Sequence, residues 1–323
     1  MASPDSHSIS LPSDPAAPEL SCRSPPARRG PPLAGASDDV RIAAAAAFVG
    51  NRAGLSRSGR RGCPGAPAAA RHAERVIGLS RRHRPAGAAC PRHRARPARL
   101  GGSDPLAEPS FEAFTDGIEE LLATLEIGSR FIYLHDYGAP VGLSLAMRRP
   151  DLVRGLIIQN ANAHRAGHGP QWAEVMDFWS SPNPRNEAAA TAHLTLEGTR
   201  DQYVKGVPDD IAARIDPAHW IEDWRVMSLP GRLESQRALV ADYGRYVARF
   251  GEIAAYLKRH QPPALLLWGR HDIYFELAEV LAWMEALPRM EAHILDAGHL
   301  LLETHSGPAA RLMTAFVTGQ AAA

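Results

Sequence analysis

Three residues of this chain are of the types that covalent hydrolysis requires, and each stands beyond an apolar run: Asp136, Asp272 and His299. Asp136 follows Phe131–Leu134, an apolar run that reads as a short buried strand, and is followed by Tyr137-Gly138-Ala139 at the start of a helical pattern. Asp272 stands beyond the run Ala264–Trp268, and His299 beyond Ala292–Leu295. A buried carboxylate is costly unless hydrogen bonds or a chemical role compensate it. As a nucleophile, a carboxylate does not readily open an amide, but it can displace a leaving group at saturated carbon and leave an alkyl ester on the protein. A histidine oriented by a second carboxylate can then take a proton from the water that attacks this ester. Each residue also has a plainer reading: Asp136 and Asp272 are of a type favoured as helix N-caps, and Asp296 or Glu303 could orient His299 instead. His135, His271, His293 and His305 are expected at the surface or behind the site.

The elements that must position these residues are legible from about residue 100 onward. Phe111–Leu125 places Phe111, Phe114, Ile118, Leu121, Leu122 and Leu125 on one helical face, with Gly128 expected to end the helix. Phe131–Leu134 reads as a strand, Ala139–Arg149 as a helix stopped by Pro150, and Val153–Gln159 as a second strand. The same grammar returns in strand Ala264–Trp268, helix Leu277–Leu287, strand Ala292–Leu295 and helix Pro308–Val317. Alternating strands and helices predict an α/β fold with a mostly parallel sheet and helices on both faces. Ligands of such sheets bind at the edge where the strands end, which is where the three residues fall.

Residues 164–248 show helical periodicity and no convincing strand, and carry Trp172, Trp179, Trp220, Trp224, Tyr203, Tyr243 and Tyr246. An aromatic-rich helical insertion in an α/β domain reads as a cap over a pocket, although most of its aromatics are expected to pack the insertion's own core. Residues 101–163 and 249–320 are then the α/β core.

The first hundred residues have a different texture. They hold one aromatic residue, Phe48, no lysine, and seventeen arginines among Ala, Gly and Pro. Splitting the chain near residue 104 leaves about +10 on the first part and about −9 on the rest, beneath an overall balance of 36 basic against 35 acidic residues. Such a segment cannot supply a core. It reads as a disordered extension, as a basic tail, or as GC-rich coding DNA translated out of frame. Without aromatics interleaved for base stacking, nucleic acid is not an expected partner. Cys22, Cys63 and Cys90 lack metal or disulfide spacing, and no metal or cofactor is expected. No apolar run reaches the length of a membrane span and the N-terminus lacks a secretory pattern, so a cytoplasmic location is expected.

Together these segments resemble the α/β-hydrolase superfamily, and within it the epoxide hydrolase and haloalkane dehalogenase branch, whose nucleophile is aspartate. The resemblance covers roughly residues 101–320 and is carried by Leu100-Gly-Gly-Ser-Asp-Pro105, His135-Asp136-Tyr137-Gly138-Ala139, Gln261 to Asp272, and Asp296-Ala-Gly-His299. It implies Asp136 as nucleophile, His299 as base and Asp272 as its partner, with the backbone N–H of Tyr137 as an oxyanion donor. Tyr203 and Tyr243 become candidate O–H donors to an epoxide oxygen. Tyr137 stands where dehalogenases commonly have tryptophan, which favours epoxide over halide chemistry. The expected substrate is a small electrophile, with water as second reactant. The resemblance also implies early strands and a His-Gly loop donating a second oxyanion N–H, and no such pair follows an apolar strand in residues 1–104. The N-terminal strands therefore look missing or scrambled, and a catalytically impaired remnant is a further reading.

Overall fold

The sheet forms because its inner strands are largely apolar on both faces, the pattern of parallel strands covered on each side by helices. The computed structural model describes residues 106–321 together with the two-residue strand β1, Ile42–Ala43. The other strands are β2 (Arg130–His135), β3 (Val153–Gln159), β4 (Ala264–Gly269) and β5 (Glu291–Leu295), in the spatial order β1-β2-β3-β4-β5 with every pairing parallel. β1 pairs with β2 at Phe131 and Ile132. The expectations for the rest of residues 1–100 lie outside the described residues.

Alternation along the strands divides the core. Ile132, Leu134, Leu156, Ile158, Leu266 and Trp268 belong to one cluster, packed by α1 (Phe111–Thr124), α2 (Gly138–Arg148), α9 (Phe250–His260) and α10 (Ala278–Ala286). Phe131, Ile157, Leu265 and Leu267 belong to another, packed by Ala309, Met313, Phe316 and Val317 of α11 (Leu302–Ala321). In α1 the Ser110 hydroxyl accepts from the Ala113 N–H as N-cap, and Arg148 of α2 pairs with Glu112, Asp116 and Glu119 along its flank. Gly142 lets α2 lie directly on β2, because a Cβ there would come within 2.3 Å of Leu134 Cδ2.

Two helix ends differ from expectation. α1 stops at Thr124, before Gly128: Glu126 takes the left-handed conformation, φ 54°, and Leu125 is 44% exposed instead of completing the apolar face. α11 begins at Leu302, six residues before Pro308, and is interrupted at His305 (φ −124°, ψ 25°), so proline falls just after the break, where its missing N–H is tolerated.

Between β3 and β4 the chain runs through α3 (Ala173–Ser180), α4 (Pro184–Ala190), α5 (Leu196–Val204), α6 (Asp209–Ala212), α7 (Ala218–Met227), α8 (Arg232–Ala248) and then α9. Its only ladder contact among the described residues is a single bridge from His168 to Phe275. Trp172, Tyr243 and Tyr246 join the main core cluster, with Trp179 packed against it, which corrects the expectation of a separate aromatic core. No helix among the described residues is long and apolar enough to cross a membrane.

Candidate active site

Asp136 occupies the turn between β2 and α2 with φ 47°, a left-handed conformation that a residue with a Cβ rarely adopts. The turn is held by Asp136 N–H donating to Asn160 O at 3.2 Å and Ala139 N–H donating to Asp136 O at 2.9 Å. Strain of this kind lifts the carboxylate clear of the sheet, and about a third of its side chain (32%) stays accessible.

Asp272 and His299 reach the same place from loops after β4 and β5. Those loops touch backbone to backbone: a Cβ on Gly269 would fall 2.1 Å from Gly298 O, so no larger residue fits there. His299 Nδ1 lies 2.9 Å from Asp272 Oδ2, and His299 Nε2 lies 3.7 Å from Asp136 Oδ2. The structure thus brings together all three residues singled out in the sequence.

Asp272 is fully buried and saturated with donors. Its Oδ1 accepts from the Tyr274 and Phe275 N–H groups at 2.7 and 3.2 Å. Its Oδ2 accepts from Asn160 Nδ2 at 2.8 Å as well as from His299. Asn160 also receives the Gly269 N–H at 2.9 Å and donates to Gly269 O at 3.2 Å, so one side chain ties the end of β3 to the acid loop. The competing orienters are engaged elsewhere: Asp296 is bound by Arg270 and His271, and Glu303 by His219 at 2.5 Å.

Charge follows from this geometry. Burial alone would strip the proton from His299, but the Asp272 charge, the hydrogen bond to Asp272 and the facing Asp136 carboxylate outweigh it and push its pKa up to about 10. Burial works against an ionised Asp136 too, yet His299, His135 and the Tyr137 N–H hold its pKa below the ordinary aspartate value. The Tyr137 N–H is thus among the groups that favour negative charge on Asp136, and it stands at the start of α2, where an oxyanion donor is expected.

The aromatic candidates separate. Tyr243 is fully buried among Tyr137, Trp172, Trp179 and Phe111, with ring centroids 5.0 to 5.9 Å away, and its hydroxyl has no hydrogen-bond partner. Tyr203 instead donates its hydroxyl to the buried Asp223, so that proton is already engaged. Trp172 and Trp179 donate their indole N–H groups to Tyr274 O at 2.6 Å and Val240 O at 2.8 Å.

Sequence reading missed Asn160, Gln159 and Tyr274. Tyr274 lies edge-on to His299 at 5.4 Å, and its phenol is made less acidic by burial and by the nearby carboxylates of Asp201, Asp272 and Asp136. The polar pair Gln159-Asn160 closing an apolar strand was the one available signal. Of the histidines expected at the surface or behind the site, His135 is buried beside the His299 ring. No group of three or more His, Cys, Asp or Glu able to hold a metal occurs among the described residues.

A model of the alpha/beta hydrolase fold family matches residues 100–306. An uncharacterized hydrolase of Saccharomyces cerevisiae, YNR064C, is 30% identical over 200 residues, 61% of this chain and 68% of that protein. A cis-3-alkyl-4-alkyloxetan-2-one decarboxylase of Shewanella oneidensis is 25% identical over 209 residues, 59% of this chain and 61% of its own length, so the chain spans less than two thirds of that relative. Among solved structures, the haloalkane dehalogenase DbeA of Bradyrhizobium elkani superposes with a TM-score of 0.53 at 19% identity, over 69% of this chain and 78% of that one, a likeness of fold. With the parallel sheet, its helices on both faces and the strained turn after β2, this match makes the chain a member of the alpha/beta hydrolase fold family, an α/β-fold hydrolase.

Proposed function

We propose that the chain opens epoxides in two steps through an alkyl ester on Asp136. The observation that carries this reading is a carboxylate, not a hydroxyl or thiol, at the strained turn, 3.7 Å from a histidine clamped by a second carboxylate. In the first step an Asp136 oxygen bonds to a ring carbon, the ring C–O bond breaks with its electron pair on oxygen, and a phenol, Tyr243, protonates the alkoxide. Esterification removes the Asp136 charge, one of two that hold the proton on His299. His299 becomes a base at that moment, and the proton it sheds returns by way of solvent to the phenolate. In the second step His299 takes a proton from water, the hydroxide bonds to the Asp136 carboxyl carbon and the Tyr137 N–H supports the oxyanion; the ester C–O bond then breaks with its electron pair on the leaving oxygen, which takes the proton of the added hydroxyl, releasing the diol and restoring the Asp136 carboxylate beside a protonated His299.

The choice of an epoxide over a halide rests on the donors. Halide release is served by N–H groups, and both indoles of the nest beside Tyr137 are spent on backbone carbonyls, whereas the Tyr243 O–H is unpaired. The name of the Shewanella relative describes a strained oxygen heterocycle, which also supports an electrophile of this kind. Residues 164–248 act in this reading as the cap, with Tyr243 contributed from it. Haloalkane dehalogenation is the second reading, favoured by the fold shared with DbeA. An oxyanion supported by one donor alone lowers the rate by about 10²–10³, so turnover is expected to be slow if no second N–H serves the site.

The test is to incubate the full chain with styrene-oxide-type epoxides and with haloalkanes while following diol and halide. Diol formation that falls about 10²-fold or more in Tyr243→Phe, with no halide release, supports the proposal. Halide release without diol formation reverses the choice of substrate.

A further inference from the structure

Behind His299 lies a buried polar chain that the two-step reading does not use. Gln159 ends β3 in register with His135 at the end of β2, and its side chain is 1% exposed. Its Oε1 accepts from the Tyr133 hydroxyl, and its Nε2 donates to His299 O at 3.3 Å and faces His135 Nδ1 at 3.3 Å. Every polar atom of this glutamine is engaged, in a strand otherwise apolar from Leu156 to Ile158. The sheet itself needs no polar side chain there, and an incompletely paired one would destabilise it.

His135 completes the arrangement. Its ring lies 4.8 Å from the His299 ring, tilted by 37°, and both rings are buried. Its Nδ1 faces an acceptor, Gln159 O at 3.1 Å, as well as the donor Gln159 Nε2. Either neutral tautomer therefore finds a partner. Burial and the neighbouring His299 push the His135 pKa down to about 4, so a neutral imidazole backs a charged one. The charged and titratable groups around His299 are then Asp272, Asp136, His135 and Tyr274.

We propose that Gln159 and His135 are positioning residues for His299: the amide holds the main chain of the base, and the His135 ring packed beside it fixes the plane from which Nε2 faces Asp136. This inference rests on the reading of Asp136 as nucleophile and His299 as base. It carries a consequence for pH, because a negative charge placed at Gln159 would stabilise the His299 imidazolium after Asp136 is esterified, when the base must be neutral.

The test uses Gln159→Glu and His135→Phe in the full chain, with the pH profile of kcat, KM, and the mass of the alkylated protein as readouts. In Gln159→Glu the acid limb of kcat is expected to move to higher pH by about one unit or more. In His135→Phe, which keeps the packed ring and removes Nδ1, kcat is expected to fall about 10- to 100-fold with KM unchanged. The second variant decides the matter should the first fail to fold. An ester mass on Asp136 with an unmoved acid limb in Gln159→Glu, or an unchanged kcat in His135→Phe, overturns the inference alone. Absence of the ester mass in every protein, wild type included, overturns the underlying reading and this inference with it.

Discussion

Replacing Asp272 by asparagine tests the physical heart of the site, because the substitution keeps the shape and removes one charge. Four donors converge on this carboxylate: the Tyr274 and Phe275 N–H groups on Oδ1, and Asn160 Nδ2 and His299 Nδ1 on Oδ2. An amide can accept on one side only. If its oxygen turns to His299, its NH2 meets two backbone N–H groups; if it turns the other way, the NH2 meets Asn160 and the histidine. Breaking a buried charged pair of this kind costs about 3–5 kcal/mol. At about 2–4 °C per kcal/mol for a domain of this size, even the lower figure lowers Tm by about 6–12 °C. The chemical effect is larger. His299 loses its main source of raised proton affinity and the acceptor that fixes its tautomer, and the equivalent change in a Ser-His-Asp triad costs about 10⁴ in kcat. Ester formation draws on the Asp136 carboxylate and the Tyr243 proton and not on Asp272, so the alkylated protein is expected to accumulate. Intact-protein mass spectrometry during turnover, beside a thermal melt, reads both effects. Asp272→Asn with full turnover and an unchanged Tm would refute the reasoning.

Other perturbations have defined outcomes. Asn160→Ala takes from the Gly269 N–H its Asn160 acceptor, leaves Gly269 O with the Asp272 N–H alone, removes a donor from Asp272 and puts alanine at φ 37°; at about 1–3 kcal/mol for an unsatisfied buried group, Tm and kcat are both expected to fall in a melt and a rate assay. Because the folded-state pKa of His299 lies above its unfolded value, its stabilisation is fully present below about pH 6.5 and is lost as pH rises through about 10. Melts across that window are expected to show a falling Tm in wild type and a smaller fall in Asp136→Asn, and an equal fall in both would contradict the ion pair.

Much of this architecture can be read from the chain, for reasons that also explain the failures. The inner strands β2 to β4, buried along most of their length, appear as apolar runs, and the exposed edge strand β5 shows only as the short run Ala292–Leu295; all four lie within a residue or so of their expected limits, and the chemical residues stand out because they follow those runs. Helix ends are set by single-residue conformations that composition does not reveal: Glu126, not Gly128, turns left-handed after α1. Within the site, the order Asp136, Asp272, His299 is visible, but Asn160 meets Asp272 across 112 residues, and Gln159 meets His299 O across 140. No local pattern encodes those contacts. Tyr203 and Tyr243 look alike in the sequence, and only packing reveals that one hydroxyl is bound to Asp223 while the other is unpaired.

The central claim is that a bond forms between substrate carbon and Asp136, and a single turnover in ¹⁸O-labelled water tests it most directly. Water that attacks the ester carbonyl leaves its oxygen in the protein, so the peptide containing Asp136 is predicted to gain one ¹⁸O while the first diol released carries none from solvent. An unlabelled Asp136 beside a labelled diol would show direct attack of water on the substrate and would contradict the account.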